Sequence, residues 1–406
     1  MAALAPFRAL RPSPSAAARV AAVPYDVVSA DEARALAAGN PVSFLHVSRA
    51  EIDCPRDTNP YDDGVYAKAV SNLERLKVDA PLIVEDVASL YVYRLRMGSV
   101  TQTGVAACYS LDEYERGIIK KHERTRQDKE DDRTRHLLAL RAQTGPVFLI
   151  HRAAPAIDRA VEHITTSTPP LFEFTASDGV QHTVWRAEAR DEHALVDAFA
   201  AVPALYIADG HHRAASAARA RQQLRGTTAE RGEWDTFLAV AFPASQVNIL
   251  PYNRVVTDLG AFTPSTFLQS LREHFAVKEG PASPQRPGEV SMFVNGAWHT
   301  LAMGEAAAST PATDRLDVSR LQDLVLKPML GIDDVRSSKR IDFVGGLRGT
   351  GELESLVRSG KAAIAFSMYP VSVDDLMTIA DAGGIMPPKS TWFEPKLRDG
   401  LLSHVI

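Results

Sequence analysis

The stretch Asp209-Gly210-His211-His212-Arg213 packs more chemistry into five residues than any other part of the chain. It follows the apolar run 204–208 and precedes Ala214, Ala215, Ala217 and Ala218, so it reads as a strand end, a glycine turn and a helix start. The first turn of a helix has N–H groups without intrahelical acceptors, and the helix dipole adds partial positive charge there. Such a place binds phosphate or carboxylate. Gly210 can take positive φ and lets a ligand approach the backbone. Arg213 can grip a phosphate beside those amides. His211 and His212 diverge by about 100° on a helix, so they do not chelate one metal from one face. One can bond phosphate or move a proton while the other packs. Asp209 can hold Mg²⁺ or orient a histidine. The plainer alternative is an Asp-capped helix with locally satisfied histidines.

The segment 112–136 carries eight acidic and eight basic residues. Within it, His122 and Glu123 follow Lys120-Lys121, and Arg126, Lys129 and Arg133 share one helical face at i, i+3 and i+7. A solvated, ion-paired helix explains such a run. A phosphoryl-transfer site explains it too. Glu123 would be the base, Arg126 and Lys129 would stabilise phosphate charge, and His122 would contact substrate. Asn253, Arg254 and Lys389 are further substrate-binding candidates, the last in the aromatic and cationic stretch 386–396. Tyr25, Asp26 and His46 are weaker ones.

These residues need a scaffold. Ser29, followed by Asp31 and Glu32, starts a helix that Gly39 ends. Residues 41–47 read as a strand and 61–77 as a helix. Strands are expected at 90–93 and 102–109 around a turn at 97–99, at 147–150, on both sides of Asp178-Gly179, and at 236–242. Residues 245–256 read as a loop and a strand returning beside the last of these. Mixed strands and helices with several hairpins predict an α+β fold of mixed sheets and packed helices. Three regions are expected: an N-terminal α+β region over 1–200, a core over 201–260 that holds the glycine turn, and a C-terminal α+β region over 261–406.

Composition sets outer bounds. The 406 residues are 45% hydrophobic and 23% charged, as in globular proteins. The formal net charge of −5 argues against a nucleic-acid partner. No apolar run is long enough to span a bilayer, and no secretory leader is evident. Cys54 and Cys108 have neither disulfide-framework nor metal-ligand spacing. A cytoplasmic location is expected; oligomeric state is not legible.

Several motifs together resemble a widespread prokaryotic family catalogued as domain of unknown function 1015. They are Pro6-Phe-Arg-Ala-Leu-Arg-Pro, Pro24-Tyr-Asp-Val, Asn40-Pro-Val-Ser-Phe-Leu-His, Ile119-Lys-Lys-His-Glu-Arg-Thr, Ala208-Asp-Gly-His-His-Arg and the segment 386–396. The resemblance spans essentially the whole chain, and the family name implies no activity. Gly210-His-His-Arg213 is also similar to the phosphate-binding box of the ParB/sulfiredoxin superfamily, which includes free-serine kinases. That resemblance implies a strand–turn–helix phosphate site with Gly210 and Arg213 on the phosphates of ATP or ADP, and Mg²⁺ bridging them. Sulfiredoxin's box cysteine is absent here, which removes thiol chemistry. What remains is a nucleotide-dependent phosphotransferase on a small hydroxyl compound, with serine or phosphoserine favoured. A phosphatase or nucleotidase at the same site, or a nucleotide- or DNA-binding regulator without chemistry, are the alternatives. Fold alone does not choose among them.

Overall fold

The computed structural model describes residues 2–226, 231–307 and 309–406. They form two compact units, one of Met1–Val247 with Pro395–Ile406 and one of Asn248–Glu394. This division differs from the three expected regions. The 201–260 stretch does not stand apart: its strands Leu205–Asp209 and Thr236–Pro243 lie in one sheet with strands from the first 200 residues.

The first unit is built on a nine-stranded mixed sheet. Its elements in chain order are β1 (Tyr91–Met97), β2 (Val100–Ser110), β3 (Ile119–Lys120), α1 (Gln127–Leu140), β4 (Val147–His151), β5 (Phe172–Thr175), β6 (Gln181–Arg186), β7 (Leu205–Asp209), α2 (His211–Arg225) and β8 (Thr236–Pro243). The strand order is β3-β7-β4-β8-β2-β1-β6-β5, with Leu4–Ala5 added against β2. The β3–β7 and β4–β8 pairs are parallel and the others antiparallel. The expected hairpins are present, with Gly98 and Gly179 at positive φ in their turns. Strands β4, β7 and β8 are apolar almost throughout because both faces are covered. Leu149, Ile207, Phe199, Phe237 and Ala239 meet in the main core. Each large side chain buried there contributes roughly 1.5–3 kcal/mol.

A second cluster packs the helices Ala30–Ala37 and Asp63–Asp79 with residues 42–50. Ser29 caps the first of these in a full capping box with Glu32. The expected strand at 41–47 is instead a turn leading into the short helix Leu45–Ser48. Val42, Phe44, Leu45 and Val47 are all buried, and a short apolar run buried on every side has no period to separate strand from helix.

The second unit carries an antiparallel six-stranded sheet in the order Ala276–Glu279, Ala297–Ala302, Glu289–Val294, Ile364–Ser367, Tyr252–Val256, Ile341–Gly345. Tyr252–Val256 was expected to return beside β8. Its partners are Ile341–Gly345 and Ile364–Ser367, because its buried residues need a covered sheet interior, which both neighbours supply. Among the described residues, no helix is long and apolar enough to cross a membrane.

Candidate functional site

Strand β7 ends irregularly. Its register against β4 slips between Ile207 and Asp209, a bulge that re-aims the chain at the strand's end. Gly210 follows at φ 93°, a left-handed conformation that L side chains resist, and α2 begins at His211. Gly210 has no side chain to cap the helix, so the first-turn amides of α2 are not closed off from that side. Ala214, Ala217, Ala218 and Ala220 bury the opposite face in the main core.

The charged segment comes to this place through β3. Its parallel pairing aligns Ile119 with Leu205 and Lys120 with Tyr206. The chain therefore leaves β3 beside the end of β7. His122 is buried there and meets His211 edge to face, ring centres 4.5 Å apart and planes at 86°. Donor atoms of His122, Glu123 and His211 all lie within 4.8 Å of one another. Burial pushes the His122 ring down to about 4 against the opposing pull of the Ile207 carbonyl and Asp209. Burial, with His122 beside it, also holds His211 well below the usual histidine range. Both rings are neutral at pH 7.

His212 points elsewhere, as consecutive helical residues must. Its Nε2 accepts the Arg126 N–H at 3.1 Å, where Arg126 precedes α1. Helix α1 then lies against α2, with Ser216 Oγ donating to the Glu130 carbonyl and Arg219 paired to Glu130 and Asp131. The expected basic face divides. The Arg126 guanidinium is exposed and bound to Asp128 at 2.8 Å. Lys129 donates to the Tyr61 hydroxyl at 2.9 Å and sits over its ring. Arg133 turns inward, paired to Asp132 at 2.7 Å and stacked on Tyr25 at 4.2 Å.

The Arg213 side chain is only 9% exposed. It donates to the Pro146 carbonyl, binds Asp209 at 3.1 Å, and folds back over Gly210. Burial alone would lower its pKa, but Asp26, Asp209 and Asp399 outweigh that and hold it above the ordinary value. Beside it lies a cavity of about 50 Å³, lined by Tyr25, Arg133, His136, Gly145, Arg213 and Asp399 among others. That is room for a few waters, far below what a nucleotide needs. Arg213 Nε and Asp399 Oδ1 are buried here without partners. Asp209 is bracketed by Arg213 and by Lys396 at 3.8 Å. A carboxylate held by two cations is a poor ligand for Mg²⁺, so the expected metal role of Asp209 does not fit this geometry.

Asn253, Arg254 and Lys389 come together within the second unit. Arg254 donates to the Tyr252 and Lys389 carbonyls, and Lys389 Nζ sits 5.3 Å from the Tyr252 ring centre. Asn253 Oδ1 accepts the Met368 N–H at 3.0 Å, a bond that ties adjacent strands. Burial without a carboxylate partner lowers Arg254 to about 10.

Sequence reasoning singled out the glycine turn but missed Arg133 and Asp399 as cavity residues. The signals were present: Pro24-Tyr25-Asp26 upstream of Arg133, and the Asp399-Gly400 turn. Nothing local in the sequence joins them.

No curated protein matches the chain. Among solved structures, a conserved hypothetical protein from Pyrococcus furiosus is 14% identical, covering 74% of this chain and 95% of that one, with a TM-score of 0.37. A free serine kinase variant in complex with ADP is 14% identical over 74% of this chain and 92% of its own, with a TM-score of 0.39. SbnI with a C-terminal truncation, from Staphylococcus aureus, is 11% identical over 72% and 85%, at 0.37. Likenesses this distant assign no chemistry. The sequence family described as a protein of unknown function, DUF1015, matches residues 4–319, and the chain belongs to it.

Proposed function

We propose that this chain is a nucleotide-dependent phosphotransferase acting on a small hydroxyl compound, with serine or a close relative as acceptor and ATP or ADP as donor. One observation carries the reading. The β3–β7 pairing sets Glu123 beside His211, at the N-terminus of a helix that Gly210 leaves without a side-chain cap. A carboxylate base next to an anion-receiving helix start is the minimum that phosphoryl transfer to a hydroxyl requires. In this reading the first-turn amides of α2 take the nucleotide phosphates, and Glu123 accepts the proton of the acceptor hydroxyl. Arg213 acts from behind: through Pro146 and Asp209 it holds the Gly210 turn in shape and adds positive charge. His122 and His211, both neutral, orient the acceptor without repelling a cation or an ammonium group.

The test is incubation with ATP or ADP, a divalent ion and a panel of hydroxyl amino acids, followed by phosphorus NMR. Phosphoserine with nucleotide consumed is the expected result. Inorganic phosphate released without an acceptor makes the protein a hydrolase instead, and nucleotide binding without turnover makes it a regulator. Glu123→Gln should lower kcat by roughly 10²–10⁴ with nucleotide affinity unchanged. Full turnover in that variant removes Glu123 from the role of base.

A further inference from the structure

His122 and His211 pose a problem that the proposed reaction leaves open. Both are buried, and His122 Nδ1 and His211 Nε2 have no hydrogen-bond partner. A buried polar atom left unpaired costs about 1–3 kcal/mol, and here two rings in edge-to-face contact each carry one. An imidazole ring offers a metal one nitrogen lone pair. Glu123, half-buried, adds a carboxylate oxygen to the same group of atoms, all within 4.8 Å of one another.

We propose that His122, Glu123 and His211 hold a divalent transition-metal ion of the zinc class at the end of β7, with the two unpartnered imidazole nitrogens as natural donors. Two nitrogens and one oxygen suit Zn²⁺, Co²⁺ or Fe²⁺ far better than Mg²⁺, which prefers an all-oxygen shell and keeps its waters. Donors at about 2.0–2.1 Å from a tetrahedral ion lie roughly 3.4 Å apart, so the three side chains close by an ångström or so on binding. Three protein ligands leave a position open for a water or a substrate oxygen, as in catalytic rather than structural sites. The site needs no particular reaction: the metal binds whether or not the protein is a phosphotransferase.

The experiment uses the full chain, purified without a histidine tag and stripped with a chelator. It is titrated with Co²⁺ while the visible d–d absorption is followed, and then with Zn²⁺ in competition. One equivalent of Co²⁺ with the intense absorption of a low-coordinate site is expected, displaced by Zn²⁺ and indifferent to excess Mg²⁺. His122→Gln, His211→Gln and Glu123→Gln should each weaken Co²⁺ by more than about 100-fold, beyond the roughly 10–100-fold lost with a residue that only supports a ligand. His274→Ala, on an exposed helix end of the second unit, should not. Glu123→Gln leaves the buried rings in place, so it stays informative if a histidine variant fails to fold. Absence of stoichiometric binding by the folded protein, or binding unchanged in all three variants, overturns the site and leaves a water to bridge the two rings. Phosphotransfer with no metal at these residues would retain the proposed function and discard this inference.

Discussion

Asp399→Asn is the sharpest available probe of the cavity behind the candidate site. Burial pushes the Asp399 carboxyl from 3.8 up to about 7, with Asp26 adding to the rise and Arg213 and Arg133 opposing it. The carboxyl Oδ1 has no hydrogen-bond partner and lies over Gly145, 2.5 Å from where a Cβ on that glycine would stand. The folded value lies above the unfolded one. The neutral form is therefore the one the fold favours, and its stabilisation is complete below about pH 4 and lost as pH rises through about 7. Over the whole range that loss is about 4 kcal/mol, and between pH 5 and pH 8 it is about 2.5 kcal/mol. Asn has the same shape and does not titrate. Urea unfolding of both proteins at pH 5 and pH 8 isolates the residue, because every other titrating group appears in both. The wild type should lose about 2–3 kcal/mol more than the variant across that interval. An equal loss in the two proteins refutes the reasoning: Asp399 would then be ionised throughout, held by the two guanidiniums rather than governed by burial.

Two further substitutions test the scaffold. Ser29→Ala removes both bonds of the capping box, Glu32 N to Ser29 Oγ at 3.2 Å and Ser29 N to Glu32 Oε2 at 2.8 Å, the second through the loss of a fixed cap geometry. It should cost about 1 kcal/mol in thermal melting, and Ser29→Asp should recover most of it. Gly104→Ala places a methyl 2.7 Å from both the Ala241 carbonyl oxygen and the Phe242 ring, between paired strands that cannot separate. Overpacking of that kind costs about 1–3 kcal/mol, and a urea midpoint equal to wild type would show that β2 and β8 yield more than their pairing implies.

What could be read in advance was what the chain encodes locally. Ser29 with Glu32, Asp178-Gly179, and the passage from β7 through Gly210 into α2 are set by neighbours within a few positions, and each formed as its residues require. Strand β3 has only two residues, and two residues carry no periodicity, so its parallel seat against β7 was not visible. The whole convergence of Glu123 and His122 on His211 depends on that seat. The spacing of Arg126, Lys129 and Arg133 was legible, but not its division. An i, i+3, i+7 set spans an arc wide enough to have one edge in water and one in the interior. Tyr25 and Asp132 supply what Arg133 needs to be buried, a ring face and a carboxylate; Asp132 is its chain neighbour, and Tyr25 is brought to it by folding. The same holds for Asp399, which reaches Gly145 and Arg213 from the far end of the chain. A guanidinium commits to the interior only where its countercharge is already enclosed, because the desolvation of either ion alone exceeds what one isolated bond returns. The basic residues that a sequence places on one face are therefore sorted by where the acids go. Here Arg213 adds to its neighbour Asp209 the charges of Asp26 and Asp399, which folding brings from remote segments, while Arg126 stays in water with Asp128, two positions on.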